Sequence, residues 1–235
     1  METTVLDHIP FELDAAQMMS KLHVQAGSSD AGELQLLVRD ALAIARPKAL
    51  YGLGFITTKT DDSVIIDGVR LTSRVLRVNL ELAHRAFLYV ATCGMELESW
   101  SRSMGDLLHR YWADAIKEMA LRAASKTLNA HLLHKYRPGK TAIMSPGSLL
   151  DWPITQQRPL FALLGDPEAS IGVELTERCL MVPNKSVSGI RFATEESFES
   201  CQLCPREVCP GRRAPYDPTL YDGKYRLQAD LRRPA

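Results

Sequence analysis

The chain has 235 residues, 46% hydrophobic and 24% charged, enough to bury a core as one large domain or two small ones. Lys+Arg and Asp+Glu are balanced at 28 each, so no net charge draws the chain to nucleic acid or to an anionic membrane. Its apolar runs, such as residues 86–90, fall far short of the ~20 residues a membrane helix needs. The acidic start, residues 1–7, lacks the basic and apolar regions of a signal peptide, which points to the cytoplasm. In that compartment five cysteines are expected as thiols or metal ligands and not as disulfides.

In chain order, residues 11–22 read as a short helix, with Met18 and Met19 competing for its buried face. A loop at 27–30 follows, and Asp30 is a candidate N-cap for a helix carrying Leu34, Leu37, Val38, Ala41, Leu42 and Ala45 on one face. Pro47 ends it. Residues 49–56 read as a strand. Val64, Ile65 and Ile66 followed by Asp67-Gly68 predict a tight hairpin returning through 69–71. A helix is expected over 73–82, a buried strand over 86–92, and a helix from about Met95. The strongest periodicity lies in 107–136, where Trp112, Ile116, Met119, Ala120, Ala123 and Thr127 recur at helical spacing before Pro138-Gly139 stops it. A short strand at 140–144, a helix at 157–164 and a hairpin of 179–182 with 187–192 follow. Pro183-Asn184 supplies the turn of that hairpin. From Ser200 the chain is rich in Pro, Arg and Tyr and reads as an irregular tail.

Strands and helices alternate without a βαβ rhythm. That predicts an α+β fold, a mostly antiparallel twisted sheet flanked by helices. Residues 1–198, with the N-terminal helices of 11–45, form the expected domain, and 199–235 a Cys/Pro-rich tail.

Two blocks carry chemistry. The first spans Ser145-Pro146-Gly147, Asp151-Trp152-Pro153, Ile171-Gly172-Val173, Leu175-Thr176-Glu177, Met181, Pro183 and Lys185-Ser186-Val187-Ser188-Gly189. Turn chemistry alone makes Ser145-Pro146-Gly147 an ordinary loop; alternatively, Gly147 lets a ligand approach the main chain. Lys185, Ser186, Ser188 and Gly189 are either a hairpin with exposed hydroxyls or a polar contact surface. Glu177 is either a solvated charge or an acceptor for a ribose or an amino group.

The second block is Cys201-x2-Cys204-x4-Cys209, which has metal-ligand spacing. Zinc would pin the tail, and an iron–sulfur cluster would relay electrons. Cys93, Cys179, His131, His134 or a partner could supply a fourth ligand. Alternatively, the histidines are a helix-surface pair, and Cys93 and Cys179 are small buried side chains. No Ser/His/Asp nucleophile signature and no phosphate-binding glycine loop is present.

In order and spacing, the first block resembles the activation domain of cobalamin-dependent methionine synthase. It is more similar still to free-standing relatives of that domain in anaerobic bacteria. The resemblance implies reductive remethylation of a corrinoid on a partner methyltransferase. S-adenosylmethionine would be the methyl source and a separate protein the electron donor. It implies cofactor contacts from Ser145, Pro146, Gly147, Ser148, Glu177, Lys185, Ser186, Ser188 and Gly189, and it favours iron–sulfur over zinc at Cys201, Cys204 and Cys209. The motif has an arginine three residues before its proline and a tyrosine after its glycine; Ile143 and Ser148 stand there in this chain. Arg137 and Lys140 are nearby cations that could replace the arginine. A module that docks on a corrinoid protein without binding S-adenosylmethionine is the alternative.

Overall fold

The computed structural model describes residues 1–226; the end of the expected tail, 227–235, lies outside the described residues. In chain order the elements are β1 (Thr3–Leu6), α1 (Ala15–Leu22), α2 (Ser29–Ile44), β2 (Lys48–Lys59), β3 (Ser63–Ile66), β4 (Val69–Thr72), α3 (Arg74–Asn79) and β5 (Arg85–Thr92). They continue with α4 (Met95–Arg102), α5 (Leu107–Tyr136), β6 (Thr141–Met144), α6 (Gln157–Leu164), α7 (Pro167–Ile171), β7 (Glu174–Leu175), β8 (Met181–Val182) and β9 (Ser186–Ala193).

The main sheet runs β4-β3-β2-β5-β9-β6, every pair antiparallel, with β1 added to β2. β2 is long enough to hold two partners on one edge. Residues 49–52 pair with β1, and residues 56–59 pair with β3, with a bulge between Ile56 and Thr58. The Asp67-Gly68 turn forms as the sequence predicts, both residues at positive φ, with Ile66 opposite Val69.

Side-chain alternation sorts the sheet into two faces. Leu88, Val90, Met144, Ile190 and Phe192 join a core with Leu76 of α3, Leu160 of α6 and Ile171 of α7. Tyr51, Phe87, Tyr89 and Ala91 face Ala124, Leu128 and Leu132 of α5. The first half of α5, through Trp112, Ile116 and Ala120, packs instead on α1, α2 and α4. A 30-residue helix thus serves two cores.

Several boundaries differ from the sequence reading. Ser28, not Asp30, caps α2, accepting from the amide of Ala31 at 3.2 Å; Asp30 sits in the first turn, where its charge suits the helix dipole. Asp166-Pro167 closes α6 and at once opens α7, since aspartate caps and proline fits the first turn. The expected hairpin of 179–182 with 187–192 does not form. β8 pairs with β7, while β9 inserts between β5 and β6. Among the described residues no helix is long and apolar enough to cross a membrane.

Candidate functional site

The loop leaving β6 is self-closed. The amide of Gly147 donates to the carbonyl of Trp152 at 2.7 Å, and the Ser148 hydroxyl donates to the carbonyl of Ser145 at 2.6 Å. Gly147 takes φ +83°, and a Cβ there would lie 2.7 Å from Cδ1 of Ile154, so the position requires glycine. Asp151 fastens the loop to the rest of the fold. Its carboxylate accepts from the amides of Arg74 at 3.2 Å and Val75 at 2.9 Å, and from the Ser73 hydroxyl, at the start of α3. Trp152 is fully buried.

Beside this loop, Tyr89 of β5 pairs with Gly189 of β9. A Cβ on Gly189 would meet the Tyr89 hydroxyl at 2.8 Å, the Ser145 hydroxyl at 2.9 Å and the Met144 carbonyl at 2.7 Å. Glycine there lets the phenol cross its neighbour strand and reach Ser145. Burial pushes the Tyr89 phenol up; the Ser145 hydroxyl and the charges of Arg191 and Arg213 offset this in part. Arg191 stands opposite Ile143 in the β6–β9 register and donates to the Thr141 hydroxyl at 2.5 Å.

Two cavities open here. A cleft of about 1140 Å³ lies between the loop 147–154 and the tail, lined among others by Ser148, Leu150, Ile154, Cys204, Tyr216 and Tyr221. A smaller one, of about 370 Å³, is lined by Ile143, Ser145, Ser148, Ser200, Cys201, Cys204, Gly211 and Arg213. Ser148 and Cys204 belong to both.

The sequence-derived site residues therefore separate. Ser145, Gly147, Ser148 and Gly189 gather with the cavities, and Pro146 is buried behind them. Lys185 and Ser186 lie at the far end of β9. There Lys185 pairs with Asp114 at 2.8 Å and the Ser186 hydroxyl donates to Thr92 at 2.9 Å. Ser188 points into the opposite core, its hydroxyl buried without a partner among the described residues. Glu177 is exposed outside both cavities, and its carbonyl accepts from Arg158. Arg137 caps the end of α5, and exposed Lys140 donates to the Glu195 carbonyl at 3.2 Å; neither lines a cavity.

Cys201 lies in a short 3-10 turn, Ser200–Leu203, and Cys204 follows it directly; both line the small cavity, and Cys209 does not. The loop that carries them is tied by Arg212. Its guanidinium donates to the carbonyls of Cys201 at 3.3 Å, Cys204 at 3.4 Å, Ala214 at 3.4 Å and Arg206. The Cys201 sulfur accepts from the amide of Arg213 at 3.4 Å. That bond, with the Ala214 amide and the Arg213 charge, holds the thiol below its ordinary range. Among the described residues no three His, Cys, Asp or Glu side chains converge as metal ligands. Cys93 and Cys179 are buried elsewhere, burial raising the Cys93 thiol to about 12, and His131 bonds Tyr51 at 2.9 Å. Among the described residues the cysteines are not arranged as the ligands of an iron–sulfur cluster or of zinc. Sequence reasoning missed Tyr89, Arg212 and Arg213, because an isolated Tyr or a run of Arg in a tail has no spacing signature.

Comparisons with known proteins fall on this geometry. Residues 123–201 match the family model described as vitamin B12 dependent methionine synthase, activation domain. Among solved structures, the MetH reactivation domain bound to AdoHcy aligns at TM-score 0.59 and 16% identity, over 85% of this chain and 80% of that one. No curated protein matches.

Proposed function

From a chain that has the fold of the methionine synthase reactivation domain and carries the activation-domain match over residues 123–201, we propose a protein that restores an inactive corrinoid methyltransferase. The favoured partner is a methionine synthase without an activation domain of its own. S-adenosylmethionine supplies the methyl group, and a separate donor protein supplies the electron. One electron takes the partner's cobalt from Co(II) to Co(I), which attacks the sulfonium methyl and leaves S-adenosylhomocysteine. Five unpaired thiols agree with work in the cytoplasm.

One observation carries this reading. The loop 145–148, inside the matched segment, opens onto the two adjoining cavities at the edge of the sheet. The chain then acts by position. Its loop and tail hold the methyl donor, and no side chain acts as general acid or base, because the reaction moves no proton. Holding donor and acceptor in one geometry is itself a large catalytic effect.

The test mixes this protein with a Co(II) methionine synthase stripped of its activation domain, a chemical reductant and methyl-labelled S-adenosylmethionine. Label on the corrinoid, together with the methyl-cobalt absorbance, is expected only when this protein is present. Equal labelling with and without it would sink the proposal. A second reading is a docking module that does not bind S-adenosylmethionine, favoured by Ile143 and Ser148 at the motif's arginine and tyrosine positions. It predicts tight binding to the corrinoid protein and no heat on titration with S-adenosylmethionine.

A further inference from the structure

We infer that the C-terminal segment completes a site for an adenosyl amino acid, with Arg213 holding the carboxylate that the motif's arginine would otherwise take. This rests on the S-adenosylmethionine reading above.

The two motif positions that changed, Ile143 and Ser148, line the same small cavity, and Arg213 lines it with them. Isoleucine offers a carboxylate no charge. Among the lining residues Arg213 is the one full cation. It enters from the tail, beyond residue 201 where the family match ends. Arg213 pairs with Glu199 through Nη2 at 3.0 Å. A guanidinium has five N–H donors in a planar fork, so one carboxylate partner leaves others to point into the cavity. Ser145 and Ser148 add hydroxyls on the same wall.

The adjoining cleft differs in character. Leu150 is 98% exposed, and Tyr216 and Ile154 are 45% and 40% exposed, all on its wall. Apolar and aromatic surface of that kind takes a purine. A ligand with an apolar aromatic end and a zwitterionic end thus fits across the pair, passing Ser148, with the adenosyl group in the larger part and the amino-acid end in the smaller.

Calorimetry with S-adenosylmethionine and with decarboxylated S-adenosylmethionine tests the assignment, since the two differ only by the carboxylate. The wild type is expected to bind the first about tenfold or more tightly, the scale of a charge-assisted contact. Arg213→Gln should abolish that preference, with no loss of affinity for the decarboxylated ligand. Adding Ile143→Arg to Arg213→Gln should restore it. Equal affinity of the wild type for both ligands overturns the assignment without any variant. So does an Arg213→Gln protein, folded by circular dichroism, that keeps the full preference; the S-adenosylmethionine reading then stands with its anchor elsewhere. Binding of neither ligand overturns both.

Discussion

Asp151 shows how a residue can mark a functional motif and act through structure. Its carboxylate closes the start of α3 and so fixes the loop that begins at Ser145. Replacing it with alanine orphans two amides at once. Asp151→Ala should cost about 1–2 kcal/mol in urea unfolding, the range of a lost helix cap. It should also weaken ligand binding at Gly147-Ser148, with Asp151→Asn less damaging on both counts because an amide oxygen still accepts. At this scale the sequence was half legible. Ser145, Gly147 and Ser148 line the two cavities and Gly189 lies against Ser145, since local turn chemistry and a glycine requirement are written in neighbouring residues. Lys185, Ser186 and Ser188 depart from them because strand alternation and distance along β9 send them to other surfaces. Arg213 was illegible, since its place depends on how the tail folds back.

The elements were legible where hydrophobic period and turn residues agreed, as in β3, β4, α3 and α5. Where tertiary packing chose between registers they were less so. In α5 the buried row continues from Ala120 through Ala124, Leu128 and Leu132, while Ala123 and Thr127 sit to one side. The helix leaves one core and meets another, so a single period cannot describe it. The same helix carries Lys117, almost fully buried, which pairs with Glu98 of α4 at 2.9 Å and donates to Asn184 at 2.9 Å. This contact joins α4, α5 and the turn before β9, and it replaces the hairpin that Pro183-Asn184 suggested. Lys117→Met strands a carboxylate that, among the described residues, Arg102 alone then contacts, at 2.8 Å. About 3 kcal/mol of destabilisation is expected in chemical denaturation. The double change Glu98→Leu with Lys117→Met should recover most of it, since removing both charges leaves no orphan.

For the molecule as a whole, the described part of the tail is anchored in the core of the sheet through Tyr225. Tyr225 is fully buried with Phe198 and the apolar face of β9, its hydroxyl donates to Asn79 at 3.1 Å, and its carbonyl accepts from Arg74 at 2.9 Å. Tyr225→Ala removes a buried aromatic ring, and docking of the tail should weaken by about 3 kcal/mol. Faster proteolytic cleavage within 204–220 would show it. Burial also pushes the Tyr225 phenol up to about 12, above its ordinary value near 10. The fold holds the neutral form, so docking is at full strength below pH ~10 and fades as pH rises through about 12. Cleavage rates across that window should rise in the wild type and much less in Tyr225→Phe.

The cavity wall made by Arg213 has a consequence in time. Its two sides come from stretches far apart in the chain, around residues 143–148 and 200–213. Closing so long a loop is slow compared with forming the hairpins and helices that precede it. The pocket is therefore expected to form after the local hairpins and helices. Competence to hold a ligand should appear after secondary structure is complete, and a ligand present during refolding would speed nothing but would trap the finished state.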